Sequence, residues 1–253
     1  MWVYCDHAIL IQTPEHHNIL IDGGPSPQAI KLELSKKLSF WDRKIDLCIS
    51  TQPQSDHVTG IVEILNYYNV KQVILSGIPS DSFIYNQILK IVHYNKIPYD
   101  TVYAGQVINL GDIAFIEVLH PPELSTQEMS NDINNNSLVL RLSYKEISFL
   151  FTADIGEETE WNLISQRTYL KSTVLKVAHH GSRSSTTLEF LTVATPEVAV
   201  ISAGNNNVFN HPHPEVLERL NQKIGSGKVL STSCNGTIEF VTDGNTLWIK
   251  TEH

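Results

Sequence analysis

The chain has 253 residues, an apolar share of 42% and a formal net charge of −9. That length buries a substantial core in one α/β domain, here residues 1–253, and the acidic balance excludes a global basic footprint for phosphate backbones. Cys5, Cys48 and Cys234 are odd in number and far apart, which excludes a disulfide scaffold and a Cys-x-x-Cys site and leaves them as small core residues.

Two β-rich runs, Ala8 to Thr13 and Asn18 to Asp22, flank the polar turn Pro14-Glu15-His16-His17 and predict a hairpin. Gly23-Gly24-Pro25 ends it, and Ile30, Leu32, Leu34 and Leu38 have helical spacing within Pro27 to Leu38. Strand and helix then alternate: Ile45 to Ser50, Val58 to Tyr68, Gln72 to Leu75, and Ser82 to Tyr94 with Ile84, Ile88, Ile91 and Val92 along one side. Strands follow at Ile113 to Leu119, Ser137 to Ser143 and Ile147 to Phe151, with Lys145-Glu146 turning between the last two. Asn131 to Asn136 is a polar run that reads as a loop.

Beyond these come a helix near Glu157 to Ser165, a strand at Thr173 to Val177, a helix near Thr186 to Val193 and a strand at Val198 to Ser202. A helix at Pro214 to Lys223 and a hairpin from Thr237 to Trp248, turning at Asp243-Gly244, close the chain. A four-layer αββα sandwich of two mixed sheets accommodates this order. No run reaches the roughly 20 apolar residues that a membrane span needs, and the N-terminus lacks a signal peptide, so a soluble chain is expected.

The chemistry concentrates just after apolar strands, where α/β proteins place it. Asp56 and His57 follow Ile45 to Ile49 in Thr51-Gln52-Pro53-Gln54-Ser55-Asp56-His57, in a loop before the next helix. Asp154 ends Thr152-Ala153-Asp154, and His179 and His180 open His179-His180-Gly181-Ser182. An aspartate after a strand is most often a turn or a helix cap. Carboxylates and imidazoles on successive strand ends are also what a divalent ion needs, since one segment rarely supplies a full shell.

Taken together these segments resemble the metal-binding motifs of the metallo-β-lactamase fold, and within it the hydrolase-like domain of the ComEC/Rec2 competence proteins. Ile19-Leu20-Ile21-Asp22-Gly23-Gly24 is similar to that domain's opening hairpin, whose acidic residue and glycines shape the floor of the site. Asn136-Ser137-Leu138-Val139-Leu140, Val174 to Ser182 and Asn210-His211-Pro212-His213-Pro214 resemble its Asn-x-Ser-Leu-Val, His-His-Gly-Ser and His-Pro segments. The resemblance implies the αββα fold, a bridging carboxylate at Asp154, and a metal position completed by Asp56, His57 and His180 or His179. The residues placed in the chemistry are Asp56, His179 and His211.

The usual His-x-His-x-Asp-His string stands here as Gln52-x-Gln54-x-Asp56-His57. An amide oxygen is a poor ligand beside an imidazole nitrogen, so the first position of a two-metal centre is degenerate and one ion at most is expected to bind tightly. Tyr4-Cys5-Asp6-His7 and Ala153 also depart from the pattern, and Tyr4 and Cys5 add bulk near the floor. His120 reads as a structural turn, Ser182 as a helix cap, and Arg183 and Lys176 as solvent-facing charges. Of His211 and His213, one faces the pocket and the other is solvated.

Two functions remain open. One is a metal-dependent hydrolase, phosphodiesterase-like, using one divalent ion (Zn or Mn) on single-stranded nucleic acid or a nucleotide, as competence proteins in DNA uptake suggest. The other is a catalytically silent binding or regulatory module, with no ion required. The compartment expected is the cytoplasm for a free-standing protein and the extracytoplasmic side for a piece of a membrane competence protein.

Overall fold

The computed structural model describes residues 2–3, 8–38, 41, 43–123, 129–204 and 207–253. It divides into two compact units, Met1–Val102 and Tyr103–His253.

The first unit runs β1 (Trp2–Val3), β2 (Ile9–Gln12), β3 (Asn18–Ile21), α1 (Pro27–Lys37), β4 (Lys44–Ile45), β5 (Leu47–Ser50), α2 (Ser55–Tyr67), β6 (Asn69–Val70), β7 (Val73–Leu75), α3 (Phe83–Tyr94) and β8 (Tyr99–Thr101). Its sheet order is β1-β2-β3-β5-β7-β8, antiparallel through β3 and parallel from β3 to β8. The expected hairpin forms with Ile9 opposite Ile21 and Gln12 opposite Asn18. Pro27 at the first helical position and Ser26, whose hydroxyl accepts the Ala29 N–H, start α1.

One face of the sheet, with Leu10, Leu20, Cys48, Val73 and Leu75, packs on Ile30 and Leu34 of α1, Ile61 and Ile64 of α2, and Ile88 and Val92 of α3. The opposite face is buried as well, at Ile9, Ile11, Ile19, Ile21, Ile49 and Ile74. A sheet covered on both faces explains why β3, β5 and β7 read as unbroken apolar runs. Each buried Leu or Ile contributes about 1.5–3 kcal/mol. Leu32, by contrast, is exposed, on the solvent side of α1.

The second unit contains β9 (Val107–Asn109), β10 (Ala114–His120), β11 (Val139–Tyr144), β12 (Ile147–Phe151), α4 (Glu157–Ser165), β13 (Val174–Lys176), α5 (Leu188–Ala194), β14 (Val198–Ile201), α6 (Pro214–Ile224), β15 (Val229–Ser231), α7 (Thr232–Asn235), β16 (Ile238–Thr242) and β17 (Leu247–Thr251). Its seven-stranded sheet has the order β15-β14-β13-β12-β11-β10-β9, antiparallel from β9 to β12 and parallel from β12 to β15. Leu163, Phe190, Leu191, Val216 and Leu220 of the helices pack on Leu150, Leu175, Ala199 and Ile201 of this sheet. The β16–β17 hairpin seats Phe240 edge-on against Phe149, 5.7 Å between ring centroids.

Three details differ from the sequence reading. The run Asn131 to Asn136 is not loop throughout: a 3-10 turn spans Ile133–Asn136, capped by Asp132, whose carboxylate accepts the Asn134 N–H. The strands β4, β6, β8, β9 and β15 are two or three residues long, too short to leave a period-2 pattern. Cys48 is buried as expected, with burial pushing its thiol pKa up, but Cys234 is exposed and Cys5 lies outside the described residues. Among the described residues no helix is long and apolar enough to cross a membrane.

Candidate functional site

In the first unit, α2 begins at Ser55, so Asp56 and His57 occupy its first turn rather than the loop before it. Gln54, extended at φ −71°, ψ 146°, supplies the N-cap position without a side-chain hydrogen bond. Asp56 near the helix N-terminus is stabilised by the unpaired N–H groups there. His57 is fully buried, and its Nδ1 lies 2.8 Å from Asp22 Oδ2. The same carboxylate accepts the Thr51 N–H at 2.8 Å and the Thr51 hydroxyl at 2.6 Å. A carboxylate acceptor on Nδ1 puts the proton there and the lone pair of the neutral ring on Nε2, the arrangement that orients metal-binding histidines.

This contact depends on two glycines. The Gly23 N–H donates to His57 O at 2.7 Å and the Gly60 N–H to Gly24 O at 2.9 Å, so the loop after β3 crosses α2 backbone to backbone. A Cβ on Gly60 would lie 2.0 Å from Gly23 O, and one on Gly23 would lie 2.4 Å from Ile61 N. Only glycine admits the approach. Asp22 itself sits at φ 56°, a left-handed conformation that aspartate tolerates better than most residues.

In the second unit, Thr152-Ala153-Asp154 follows β12, with Asp154 buried and Ala153 left-handed at φ 43°. The Thr152 hydroxyl donates to Lys176 O at 2.6 Å and ties the ends of β12 and β13 together. A 3-10 turn over Ala178–Gly181 follows β13, and His179, His180 and Gly181 are left-handed in succession at φ 47°, 56° and 81°. For the two histidines this costs about 1–3 kcal/mol each, sustained only where the surroundings fix the backbone. The His179 N–H donates to Ala153 O at 3.0 Å, the Ser182 N–H to His179 O at 2.8 Å, and the His213 N–H to Gly181 O at 2.9 Å. His180 Nδ1 lies 2.7 Å from the Ser202 carbonyl, and its Nε2 lies 3.7 Å from Asp154 Oδ2. Here too the acceptor on Nδ1 leaves the lone pair on Nε2.

His211 lies 5.7 Å from His179, 6.0 Å from His180 and 4.8 Å from His213, measured between ring centroids. Burial, then the neighbouring imidazoles of His180, His179 and His213, hold its pKa down to about 4 against the opposing pull of Asp154, so it is neutral at pH 7.

The model of the metallo-beta-lactamase superfamily matches residues 7–205 of this sequence. The chain belongs to the metallo-beta-lactamase superfamily. It is 32% identical over 204 residues to ComE operon protein 3 of Bacillus subtilis, covering 78% of this chain and 25% of that protein. It is 29% identical over 241 residues to competence protein ComA of Neisseria gonorrhoeae, covering 85% of this chain and 33% of that one. The chain thus spans a quarter to a third of the length of these curated relatives. Among solved structures, the metallo-beta-lactamase fold protein YhfI from Bacillus subtilis aligns with a TM-score of 0.58 at 14% identity, covering 96% of this chain and 92% of YhfI. The fold is the metallo-β-lactamase fold, a mixed α/β arrangement of several sheets.

The residues present fit the divalent ion that metallo-β-lactamase-fold proteins hold. Each unit offers one oriented imidazole and one carboxylate with ligand atoms within 4.8 Å of each other: Asp56 with His57, and Asp154 with His180. His179 lies edge-on to His211, with ring centroids 5.7 Å apart. Gln52 is fully buried and Gln54 half-buried, in the two places of the superfamily's missing histidines.

Other assignments need correction. Ser182 does not cap the helix that follows: Thr187 does, its hydroxyl oxygen accepting the Phe190 N–H, while Ser182 Oγ pairs with Ser184 Oγ at 3.0 Å. Lys176 is buried at the end of β13 and not solvent-facing, whereas Arg183 is exposed. His213 is half-buried, and its Nδ1 accepts the Arg183 N–H at 3.2 Å, so it is not simply solvated. His120 is structural as expected, its Nε2 lying 2.9 Å from Asn135 O. Tyr4, Cys5, Asp6 and His7 lie outside the described residues. Sequence reasoning missed Ser202, which acts through its backbone carbonyl and leaves no side-chain signal.

Proposed function

We propose that the chain is a metal-dependent hydrolase holding one divalent ion, Zn²⁺ or Mn²⁺, at the residues that stand in the superfamily's metal-binding motifs, Asp56, His57, Asp154 and His180. The observation that carries this reading recurs in both units: an imidazole whose Nδ1 is tied to an acceptor, Asp22 for His57 and Ser202 O for His180, beside a carboxylate. Hydrogen bonding of that kind keeps a ligand nitrogen aimed and basic. The reading takes the two units as halves of one domain, which the family match supports by running across the boundary after Val102.

A bound ion of this type lowers the pKa of water toward neutrality and polarises a phosphoryl oxygen. The protein residues supply the rest. Asp56 and Asp154 would balance the cation's charge, and the Nδ1 contacts of His57 to Asp22 and of His180 to the Ser202 carbonyl fix how the two rings are oriented. His179 or His211, whose ring centroids lie 5.7 Å apart, would carry a proton to the leaving group. The substrate proposed is a phosphodiester of a single-stranded nucleic acid or a nucleotide, by likeness to a relative named as a competence protein.

Hydrolysis of bis(p-nitrophenyl) phosphate by the purified chain in Mn²⁺ or Zn²⁺ tests this. Activity that disappears with a chelator and with Asp154→Asn supports the reading, and none with any divalent ion rejects it. The second reading, a silent binding module, is favoured by Gln52, a buried amide where the superfamily carries an imidazole. Gln52→His with Gln54→His separates the two: a hydrolase with a weakened first position gains metal content and rate.

A further inference from the structure

We infer that Glu160 is a positioning residue, whose carboxylate on α4 clamps the segment that fixes the left-handed His179–Gly181 turn and so keeps His180 Nε2 aimed beside Asp154. The inference rests on the proposed metal-holding role of His180.

Glu160 has no exposed surface, and its carboxylate accepts the N–H of Thr186, the N–H of Thr187 at 2.8 Å and the hydroxyl of Thr187 at 2.7 Å. From the opposite side, Arg219 of α6 donates to Ser185 O at 3.1 Å and Thr186 O at 2.6 Å. Residues 185–187 are therefore held by an anion on their N–H groups and a cation on their carbonyls. Within this clamp Thr186, a β-branched residue, adopts φ 56°. A branched side chain does not stay in that region unless its surroundings impose it.

The clamped segment in turn holds the histidine turn. The Ser185 hydroxyl, fully buried, lies 3.1 Å from both Ala178 O and Ser182 O, the residues on either side of His179–Gly181. The Ser182 N–H closes the turn on His179 O. Two hydrogen-bonded steps thus lead from Glu160 to the backbone that aims His180.

Helix capping alone does not account for Glu160. An N-cap acceptor bonds the N–H groups of the first helical turn, and Thr187 already performs that for α5 by accepting from Phe190 N. Glu160 instead takes the N–H groups of Thr186 and Thr187, which precede the helix. Its target is the loop.

The test uses the full chain as wild type, Glu160→Gln, and Glu160→Gln with Thr186→Gly, the last removing the strain that the clamp opposes. Two readouts are taken well below the unfolding temperature: the ring ¹⁵N shifts of His180 in metal-free protein, which report its tautomer, and Co²⁺ affinity from visible absorption. The clamp predicts a single Nδ1–H tautomer in wild type and a mixture in Glu160→Gln. It also predicts a cobalt affinity about 10–100-fold weaker in Glu160→Gln, as for other groups that orient ligands, and recovery of most of that loss in the double variant. If Glu160 is merely structural, Glu160→Gln melts earlier but keeps both the tautomer and the cobalt affinity, and the inference is overturned. Should Glu160→Gln not fold, Arg219→Lys probes the same segment from its carbonyl side against the same two readouts. A wild type that binds no Co²⁺ rejects the metal reading, while the His180 tautomer still decides the clamp.

Discussion

Replacing Asp22 by Asn should switch His57 into the wrong tautomer without moving the backbone. The Asp22 carboxylate receives three donors: Thr51 N–H, the Thr51 hydroxyl and His57 Nδ1–H. Asn is well suited to the left-handed conformation at position 22, φ 56°, so the substitution adds no backbone strain. It does replace one acceptor oxygen with an NH₂ group. If the amide oxygen keeps the Thr51 N–H, the NH₂ faces Nδ1 of a fully buried ring. The imidazole then avoids a donor–donor clash only by moving its proton to Nε2, which removes the lone pair that the metal reading requires.

Hydrogen bonds to charged groups contribute about 1.5–3 kcal/mol each, so losing one or two of the three puts the destabilisation at about 1.5–6 kcal/mol. Affinity for a divalent ion should fall about 10–100-fold. Urea unfolding gives the first quantity, and the ring ¹⁵N shifts of His57 give the tautomer directly. An Asp22→Asn protein that unfolds within about 0.5 kcal/mol of wild type, a small part of one such bond, and retains the Nδ1–H form would refute the reasoning.

Gly60→Ala should destabilise by about 1–3 kcal/mol, the cost of overpacking, because its Cβ would lie 2.0 Å from Gly23 O and must push the β3 loop off α2; an unchanged urea midpoint would show that the crossing yields freely. His120 supplies a pH dependence. Burial lowers its pKa below 6.5 despite the hydrogen bond to Asn135 O, so the folded state binds fewer protons there than the unfolded chain. Its contribution is therefore complete above pH 6.5 and is lost as pH falls from 6.5 through the lower folded value, at no more than about 1.4 kcal/mol per pH unit. His120→Gln, which keeps a donor for Asn135 O but cannot titrate, should flatten urea midpoints between pH 7 and 5; an equal slope in both proteins would assign the effect elsewhere.

Much of the fold was legible because strands covered on both faces, such as Leu47–Ser50 and Val73–Leu75, write continuous apolar runs bounded by turn residues. The start of α2 was misplaced by three residues because Gln54 and Ser55 carry no strong start signal and Gln54 makes no side-chain cap. The ligand-type residues were legible from their places after strands. Their orientation was not, since it comes from Asp22 across a glycine crossing and from a backbone carbonyl at Ser202. The left-handed turn at His179 and His180 was hidden for a similar reason: histidine tolerates positive φ better than most residues but seldom adopts it, and the turn is imposed by contacts from elsewhere in the unit. Ser182 and Lys176 show the limit of local reading, because what each side chain meets was decided by tertiary packing.

The proposed function requires one ion held by the motif residues Asp56, His57, Asp154 and His180. Metal content by mass spectrometry, measured on wild type and on Asp56→Asn, His57→Gln, Asp154→Asn and His180→Gln after loading with Zn²⁺ or Mn²⁺ and desalting, tests it most directly. Near-equimolar metal in wild type, lost in each of the four variants whichever unit carries the change, is the predicted result. Metal that survives substitution of either residue pair, or a wild type that retains none, would contradict it.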